Sequence, residues 1–449
     1  MKLLLKNANM IDKNGESFSD TDIYIDGEYI LAVENKNENK ENLKNLGYIN
    51  SKENKEIKKF EPDRIINAES MLILPGLYNS HTHLPMTMFK GYAEDLPFYT
   101  WLFDKIMPAE DKLNDIIVYY GSLWGIAEQI KNGVISCSDM YFFSEDILQA
   151  ADESGFKLNF SRCVQSFDET ESLKSNKKFS EAKSIYRNYH NSSRGRIKID
   201  MSIHAEYTAN DKIIKAVADF SNDNMIMNHV HISETKKEHD ECIQKRGMTP
   251  CEYFNSLNFF DSPTIAAHCV HISENDMEIM AEKGVTAAHC PSSNLKLACG
   301  IAKIPEMQNR GINVAMGTDG SASNNNLDIL KEMYIASILQ KGVTGDPAVM
   351  PAKDMLRFAT VNAAAAQGRG DCGSIEPGKK ADLVAFDLNS IEALPIYDYS
   401  SALLYSLTGR NVIMTMCDGK ILYEKGEFKT IDIEKVKYMI NKLSELYKM

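Results

Sequence analysis

The sequence predicts an α/β protein, in which a (β/α)8 barrel (a TIM barrel) is joined to a small β-sandwich domain. Short β-prone runs alternate with segments long enough for helices in the middle of the chain, which is the pattern of a parallel sheet. Turn-rich stretches of alternating polarity at both ends are typical of antiparallel strands. We therefore expect residues 1–74 and 371–449 to build the β-sandwich, with a helix at the C-terminus, and residues 75–370 to build the barrel.

Composition limits the classes of function. The 449 residues are 43% hydrophobic and 25% charged, which is ordinary for a globular protein. The net charge of −13 argues against nucleic-acid binding, because phosphate contacts need a basic surface. No run approaches the roughly 18 apolar residues of a membrane-spanning helix, so no membrane association is expected. Nine cysteines without C-x-x-C pairs indicate reduced thiols and a cytoplasmic protein.

The N-terminal segment has the pattern of β structure. Residues 22–30 alternate in polarity around an Asp-Gly pair, which favours a hairpin. Residues 35–59 are rich in Asn, Lys and Glu and poor in large apolar side chains. Such a segment cannot bury much surface, so we expect an exposed insertion, flexible or partly helical, without a catalytic role.

Eight β-prone runs supply the strands of the predicted barrel. They end near polar side chains of the types that bind metals and substrates, and they lie at residues 74–83, 133–139, 157–162, 197–204, 225–231, 264–268, 285–289 and 313–319. Active sites of (β/α)8 barrels lie at the C-terminal ends of the strands. The sequence therefore predicts a site where these runs end.

The chain after the barrel returns to β structure. Residues 351–367 are predicted as one helix, because proline stands at the start and glycine follows the end. Residues 374–386 indicate a turn and a strand, and residues 416–423 indicate a second Asp-Gly hairpin. We expect these strands to pair with the N-terminal ones. The pattern of residues 432–449 predicts a charged amphipathic helix whose role is packing.

Histidines at the end of the first barrel strand begin a predicted metal site. His81 and His83 are two residues apart, so on a strand they point to the same side and can bind one ion. Alone the pair is a weak signal, because two hydrogen-bonded histidines near the core would give the same pattern.

Other strand ends supply the remaining groups of this site. The fifth strand ends in His229 and His231, with Glu234 just beyond; the sixth ends in His268 and the eighth in Asp319. Each could be structural alone, since an aspartate often caps the next helix. Together, three histidines and an aspartate beside a glutamate make a mononuclear catalytic metal site with a position open for water.

The motifs around these residues resemble the amidohydrolase superfamily. The similar stretches are residues 75–86, 231–234, 267–271 and 317–324. Two more, residues 91–97 with 101–103 and residues 291–297, resemble the branch of 5'-methylthioadenosine/S-adenosylhomocysteine deaminases. The resemblance covers almost the whole chain, and the insertion at residues 35–59 is the clearest exception.

The resemblance implies a specific set of metal ligands: His81, His83, His231 and Asp319. Zinc is the usual ion, and iron or manganese would accept the same ligands. Some members hold a second ion through a carboxylated lysine at the end of the fourth strand. Here that strand ends at His204-Ala205-Glu206, so we expect one divalent ion.

The resemblance also implies catalytic and substrate-binding roles. Glu234, His268 and Asp319 would be catalytic, with Glu234 protonating N1 of an adenine ring while the other two orient the attacking water. The substrate would contact Glu234 and His268 and also three residues from other strands or loops, namely Glu110, Arg162 and His204. Glu110 would accept the ribose hydroxyls. From the residues alone, an acid at a helix start explains Glu110 equally well.

The expected reaction is hydrolytic deamination of an adenosine-type nucleoside: 5'-methylthioadenosine, S-adenosylhomocysteine, 5'-deoxyadenosine or adenosine. The resemblance implies a homo-oligomer. The alternatives are a hydrolase or deaminase of another ring, such as a triazine, guanine or a pterin, and a non-catalytic relative that forms assemblies. Residues 168–178 hold lysines where members acting on S-adenosylhomocysteine carry a second arginine. Lysine lacks the bidentate fork, so we expect weak activity on that substrate.

Overall fold

The strands of this protein form two sheets, as seen in a computed structural model that describes residues 1–36, 57–168 and 170–448. One is an eight-stranded parallel sheet and the other a nine-stranded mixed sheet from both ends of the chain, which confirms the predicted fold class. Most of the predicted insertion, residues 37–56, lies outside the described residues. Residues 57–59 form a short 3-10 turn.

The strands are named in chain order. They are β1 (Lys2–Ile11), β2 (Ser17–Asp26), β3 (Tyr29–Asn35), β4 (Arg64–Asn67), β5 (Met71–Pro75), β6 (Leu77–Thr82), β7 (Val134–Tyr141), β8 (Lys157–Val164), β9 (Ile197–Ile203), β10 (Asn228–Ile232), β11 (Thr264–His268), β12 (Thr286–His289), β13 (Val314–Met316), β14 (Leu383–Asp387), β15 (Val412–Cys417), β16 (Lys420–Glu424) and β17 (Glu427–Phe428).

Strands β6 to β13 form the barrel in chain order, each parallel to the next. The last strand returns to the first: the backbone N–H groups of Thr318 and Asp319 donate to the His81 carbonyl at 3.1 and 3.0 Å. The side chains of β6, β7 and β8 are buried throughout. A closed parallel barrel brings all its C-terminal strand ends to one face.

The terminal sheet joins the two ends of the chain, as predicted. Its order is β17-β16-β15-β14-β5-β1-β2-β3, with β4 also paired to β1. The antiparallel pairing of β5 with β14 is where the N-terminal and C-terminal segments meet. Buried side chains from both segments, among them Leu5, Ile25, Leu383 and Met416, share one apolar core that is separate from the barrel core.

A buried ion cluster connects the terminal sheet to the barrel. Lys157, at the start of β8, contacts Asp382 and lies 2.7 Å from Asp418. Asp382 immediately precedes β14 and Asp418 lies in the turn between β15 and β16. All three side chains are at most 10% exposed, so a largely buried cluster holds the N-terminal end of the barrel against the sheet.

Helices cover the outside of the barrel. The α-helices of six or more residues are Asp115–Lys131, Glu145–Ser154, Lys177–Tyr189, Asp211–Asn224, Lys236–Arg246, Pro250–Ser256, Glu274–Lys283, Pro291–Lys296, Ile304–Asn309, Ile329–Thr344, Ala352–Ala359, Val361–Ala366, Tyr399–Tyr405 and Ile433–Ser444. None of the helices in the described ranges has the length and hydropathy that a membrane crossing needs. All nine cysteines are free and buried.

The region predicted as one helix over residues 351–367 is two helices. The break falls at Thr360, whose φ of −125° and ψ of −96° are not helical. Its hydroxyl donates to the Leu356 carbonyl at 2.7 Å, a bond to the backbone that often accompanies a bend in a helix. Proline and glycine marked the outer limits, but the pattern carried no signal for this internal break.

Candidate active site

The four predicted metal ligands meet at the C-terminal ends of the barrel strands. His81 and His83, from the end of β6, place their Nε2 atoms 3.5 and 3.3 Å from Oδ1 of Asp319. Nitrogen atoms of His81, His231 and His268 also lie within 4.8 Å of one another, so the two groups share His81. The strand ends therefore converge on one point.

The ring orientations suit a metal ion. Nδ1 of His83 donates to the Met140 carbonyl at 2.6 Å, and Nδ1 of His231 donates to the His204 carbonyl at 2.7 Å. In each ring Nε2 is thereby left to act as a ligand, as in most histidine metal sites. Nε2 of His81 is buried and has no hydrogen-bond partner among the described residues. Three imidazole nitrogens and one carboxylate fit a divalent ion such as zinc.

The pKa values of these groups follow from burial and from Asp319. Burial lowers the pKa of His81 to about 4 and takes that of His231 well below its ordinary value. Burial acts on His83 in the same direction, but the hydrogen bond to Asp319 prevails and raises the pKa of His83 to about 9. Burial would raise the pKa of Asp319, yet His81 and His83 hold it well below its usual range. Metal binding would therefore displace a proton from His83.

Glu234 and His268 lie beside this cluster. Their nearest side-chain atoms, Oε1 and Nε2, are 3.9 Å apart, and both groups come within 4.8 Å of Asp319. Burial raises the pKa of Glu234, which favours a protonated carboxyl group that can act as an acid. The thiol of Cys299 also contacts Glu234, at 3.7 Å from Oε1.

Partners that the sequence analysis missed orient the catalytic side chains. Nδ1 of His268 donates to Oδ1 of Asn294 at 2.8 Å, so its Nε2 is free to accept a proton. The hydroxyls of Ser293 and Ser323 donate to Oδ2 of Asp319 at 2.6 and 2.7 Å. All three partners fall in stretches that carry the family resemblance, and that was the only available signal for them.

A cavity of about 480 Å³ opens next to the cluster, and it is lined by three of the five predicted substrate residues; the other two, Glu234 and His268, lie in the cluster itself. The three are Glu110, Arg162 and His204, and His83 lines the same cavity. Oε1 of Glu110 accepts a hydrogen bond from the hydroxyl of Tyr141 at 2.7 Å. Burial raises the pKa of Glu110 to about 7.

Two cations, Arg162 and Lys178, line this cavity. Arg162 pairs with Glu181 at 2.9 Å, and Nζ of Lys178 donates to Oε1 of Gln165 at 3.3 Å. Burial lowers the pKa of Lys178, and the charge of Arg162 adds to this effect. The stretch 168–178, which has no second arginine, ends inside the helix Lys177–Tyr189, and Lys178 lies in the first turn of that helix. The sequence could not tell which lysine of this stretch enters the cavity. Glu169 of this stretch lies outside the described residues.

Residues 72–422 match the amidohydrolase family. A 5-methylthioadenosine/S-adenosylhomocysteine deaminase of Acetivibrio thermocellus is 39% identical over 448 residues, which cover 99% of each chain. A 5'-deoxyadenosine deaminase of Methanothermobacter thermautotrophicus is 39% identical over 372 residues, 83% of this chain and 86% of the relative. The crystal structure of an adenosine deaminase from Xanthomonas campestris with bound zinc has a TM-score of 0.90 and 29% identity, and covers 99% of this chain and 98% of that one.

Proposed function

The chain belongs to the amidohydrolase family, and from this premise we propose that it is a metal-dependent deaminase of adenosine-type nucleosides. The observation that carries the proposal is the buried Glu234 beside His268 and Asp319, where the cluster of metal-ligand residues borders a nucleoside-sized cavity. Relatives named as deaminases of such nucleosides, which match 83–99% of this chain, support it over a triazine, guanine or pterin substrate.

The proposed mechanism assigns each proton to a side chain. One divalent ion, most commonly zinc, would be held by the four ligands and would supply Lewis acidity and a lowered pKa for water. Glu234 passes its proton to N1 of the adenine ring, which makes C6 electrophilic. His268 and Asp319 orient the attacking water and accept its proton. That proton then moves to the amino group, which leaves as ammonia. The second proton of the water passes from the C6 oxygen to Glu234 as the ring carbonyl forms, which restores the acid.

The cavity residues suggest how the rest of the nucleoside is held. Glu110 binds the ribose, since a carboxylate can accept hydrogen bonds from two vicinal hydroxyls. His204 lies beside the purine, and its buried Nδ1 has no partner within the described part of the chain. Arg162 and Lys178 face the 5' substituent.

The first test is turnover by the zinc-loaded protein. Adenosine, 5'-deoxyadenosine, 5'-methylthioadenosine and S-adenosylhomocysteine would be compared through the absorbance change from adenine to hypoxanthine. We expect Glu234→Gln to lower kcat at least about 100-fold, because the proton donor is lost. Its zinc content should be unchanged, because Glu234 is not a proposed ligand. Glu274→Gln, at an exposed helix position, is the matched control.

Two outcomes would contradict the proposal. Turnover retained by Glu234→Gln would remove the acid role from this residue. If none of the four nucleosides reacted while zinc was bound, the substrate assignment would be wrong, and other nitrogen heterocycles would be assayed in the same way.

Lys178 gives a prediction about the 5' substituent. A second cation beside Arg162 favours a substituent that bears a carboxylate, although lysine makes a single contact where arginine makes two. We expect Lys178→Ala to raise KM for S-adenosylhomocysteine about tenfold, as loss of a charge-assisted hydrogen bond predicts, and to leave KM for 5'-deoxyadenosine within about twofold. Lys174→Ala is the control, because Lys174 is an exposed lysine of the same stretch. Equal shifts for both substrates would refute the assignment.

We also propose a homo-oligomer in the cytoplasm. The side chains of Ile391, Leu394 and Tyr397 are 94, 60 and 95% exposed on one loop, and such apolar patches often mark interfaces between subunits. Nine free thiols suit a reducing compartment. Light scattering during size-exclusion chromatography measures the subunit number.

A further inference from the structure

The turn that carries the proposed acid Glu234 has a strained backbone. It lies between β10 and the helix Lys236–Arg246. Ser233, directly before Glu234, has a φ of 48°, in the left-handed region that residues other than glycine seldom adopt. Such a conformation persists only where the surrounding groups hold it. The direction in which Glu234 projects from the end of the strand therefore depends on the groups that bind this turn.

The side chain of Glu238 binds the turn at three backbone N–H groups. Its Oε1 accepts from Ser233 at 2.9 Å, and its Oε2 accepts from Glu234 at 2.8 Å and from Thr235 at 3.3 Å. Glu238 is 4% exposed, so little water competes for these donors. A carboxylate accepts at both oxygens, whereas the amide of a glutamine would present a donor on one side. The carboxyl group of Glu238 therefore matches these three donors.

These bonds extend beyond an ordinary helix cap. Thr235 and Glu238 form a capping box, in which each side chain accepts from the backbone N–H of the other. The next helix, Pro250–Ser256, begins with the same box from Thr249 and Glu252. Within the described part of the chain, the backbone N–H that Glu252 accepts is that of Thr249 alone, at 2.9 Å. Glu238 also binds the two residues before its cap, one of which is the proposed acid.

We propose that Glu238 is a positioning residue for Glu234, because its carboxylate fixes the backbone from which the proposed acid projects. The carbonyl of Ser233 is held as well, by the N–H of His271 at 3.0 Å. In the turn fixed by these contacts, Oε1 of Glu234 lies 3.9 Å from Nε2 of His268. The inference rests on the proposed function, in which Glu234 is the acid. Glu238 is not among the described residues that line the cavity, so its loss should change kcat more than KM.

The first measurement does not require turnover. Hydrogen exchange of peptides that cover residues 233–235, in the zinc-loaded protein, should be at least about tenfold faster in Glu238→Gln, because a buried N–H group then loses its acceptor. Glu252→Gln removes the same carboxylate from the other capping box and should leave this exchange unchanged. With the nucleoside that reacts fastest, Glu238→Gln should lower kcat about 10- to 100-fold and change KM less than about twofold, since a small displacement of a catalytic group has an effect of this size.

A double variant separates positioning of Glu234 from a general structural effect. Glu238→Gln added to Glu234→Gln should lower kcat by less than a further twofold or so, because the group that Glu238 positions is already absent. A full further loss in the double variant would overturn the inference. An exchange rate or a kcat of Glu238→Gln equal to that of the wild type would overturn it too.

A second variant covers the case in which Glu238→Gln fails to fold. Glu238→Asp keeps the charge, but its shorter side chain cannot reach all three donors, so we expect the same two changes, and wild-type exchange or kcat would overturn the inference. Failure of the proposed function would differ from both results, since the wild-type protein would then turn over none of the nucleosides or Glu234→Gln would retain turnover. The exchange rates would still decide whether Glu238 fixes the turn.

Discussion

Glu110 is a carboxyl group whose charge changes within the physiological pH range. Burial raises its pKa to about 7, although the hydrogen bond from Tyr141 and the charge of His83 act in the opposite direction and Asp111 adds to the rise. Near pH 6 Glu110 is therefore mainly neutral, and near pH 8 it is mainly a carboxylate.

This titration predicts a pH-dependent affinity for the ribose. Only the ionised carboxylate accepts a hydrogen bond from each of the two ribose hydroxyls. KM for adenosine should therefore fall about tenfold between pH 6 and pH 8, as the ionised fraction of Glu110 rises. KM for 2',3'-dideoxyadenosine should not follow it. Steady-state kinetics of both substrates across this range measure the difference, and Glu110→Gln should abolish it. A parallel change for both substrates would show that another group titrates.

The residues at strand ends could be predicted from the sequence, and their partners could not. His81, His83 and Asp319 follow from the two-residue period of a strand and from the common face of a barrel. Asn294 and Lys178 come from different parts of the chain, and only tertiary folding decides which loop side chains meet. Their chemistry was visible in the sequence, but their neighbours were not.

At the scale of elements, one polar cluster joins two loops to the end of the helix Pro291–Lys296. Nζ of Lys296 lies 2.6 Å from Oε2 of Glu94 and donates to Oδ1 of Asn325 at 2.6 Å. Nδ2 of Asn325 donates to Oε1 of Glu94 at 2.8 Å. Glu94 lies in the segment between β6 and the helix Asp115–Lys131, which also carries the cavity residues Leu102, Phe103 and Glu110. The cluster therefore holds that segment over the cavity.

Removal of the central cation should loosen this segment. A partly exposed cluster of this kind stabilises the closed position of the segment by about 1 kcal/mol. Lys296→Met should therefore raise the equilibrium constant for local opening of this segment about fivefold. Hydrogen exchange of peptides from residues 91–110, followed by mass spectrometry, should accelerate by the same factor, and KM for nucleosides should rise with little change in kcat. Lys303→Met, at an exposed lysine, is the control. Exchange rates equal to those of the wild type would contradict the assignment.

The positions of strands and helices could be predicted more closely than a break inside a helix. All eight barrel strands lie at the predicted runs, because short apolar, β-prone stretches between longer helical segments mark strands that are buried on both faces. The break at Thr360 depends on one side-chain hydrogen bond, which no periodicity reports. The C-terminal helix was predicted to pack, and it packs on the helix Asp115–Lys131. The proposed domain limits at residues 74–75 and 370–371 stay predictions.

For the whole molecule, the cluster of Lys157, Asp382 and Asp418 couples the barrel to the terminal sheet. Loss of one partner of a buried ion group leaves charge without compensation, so Lys157→Met should lower the free energy of unfolding by about 3–5 kcal/mol. Urea unfolding measures this change. Lys215→Met is the control, because Lys215 pairs with Asp219 at the surface and is 52% exposed. Such a pair contributes at most about 1 kcal/mol.

A second comparison separates charge from packing. Asp382→Asn and Asp418→Asn, added to Lys157→Met, should recover part of the lost stability, because the uncompensated carboxylates are then absent. If Lys157→Met alone were as stable as the wild type, the cluster would not couple the two parts of the molecule.

The nine buried cysteines can be used to measure local opening of the folded chain. A thiol-reactive dye cannot reach a buried sulfur atom in the folded chain, so the rate of labelling measures how often each region opens. Cys372 and Cys417 border the Lys157 cluster and would report separation of the terminal sheet from the barrel. Cys299 contacts Glu234 and would report access to the candidate active site. Local opening of the wild-type chain can thus be measured at these two places without an added cysteine.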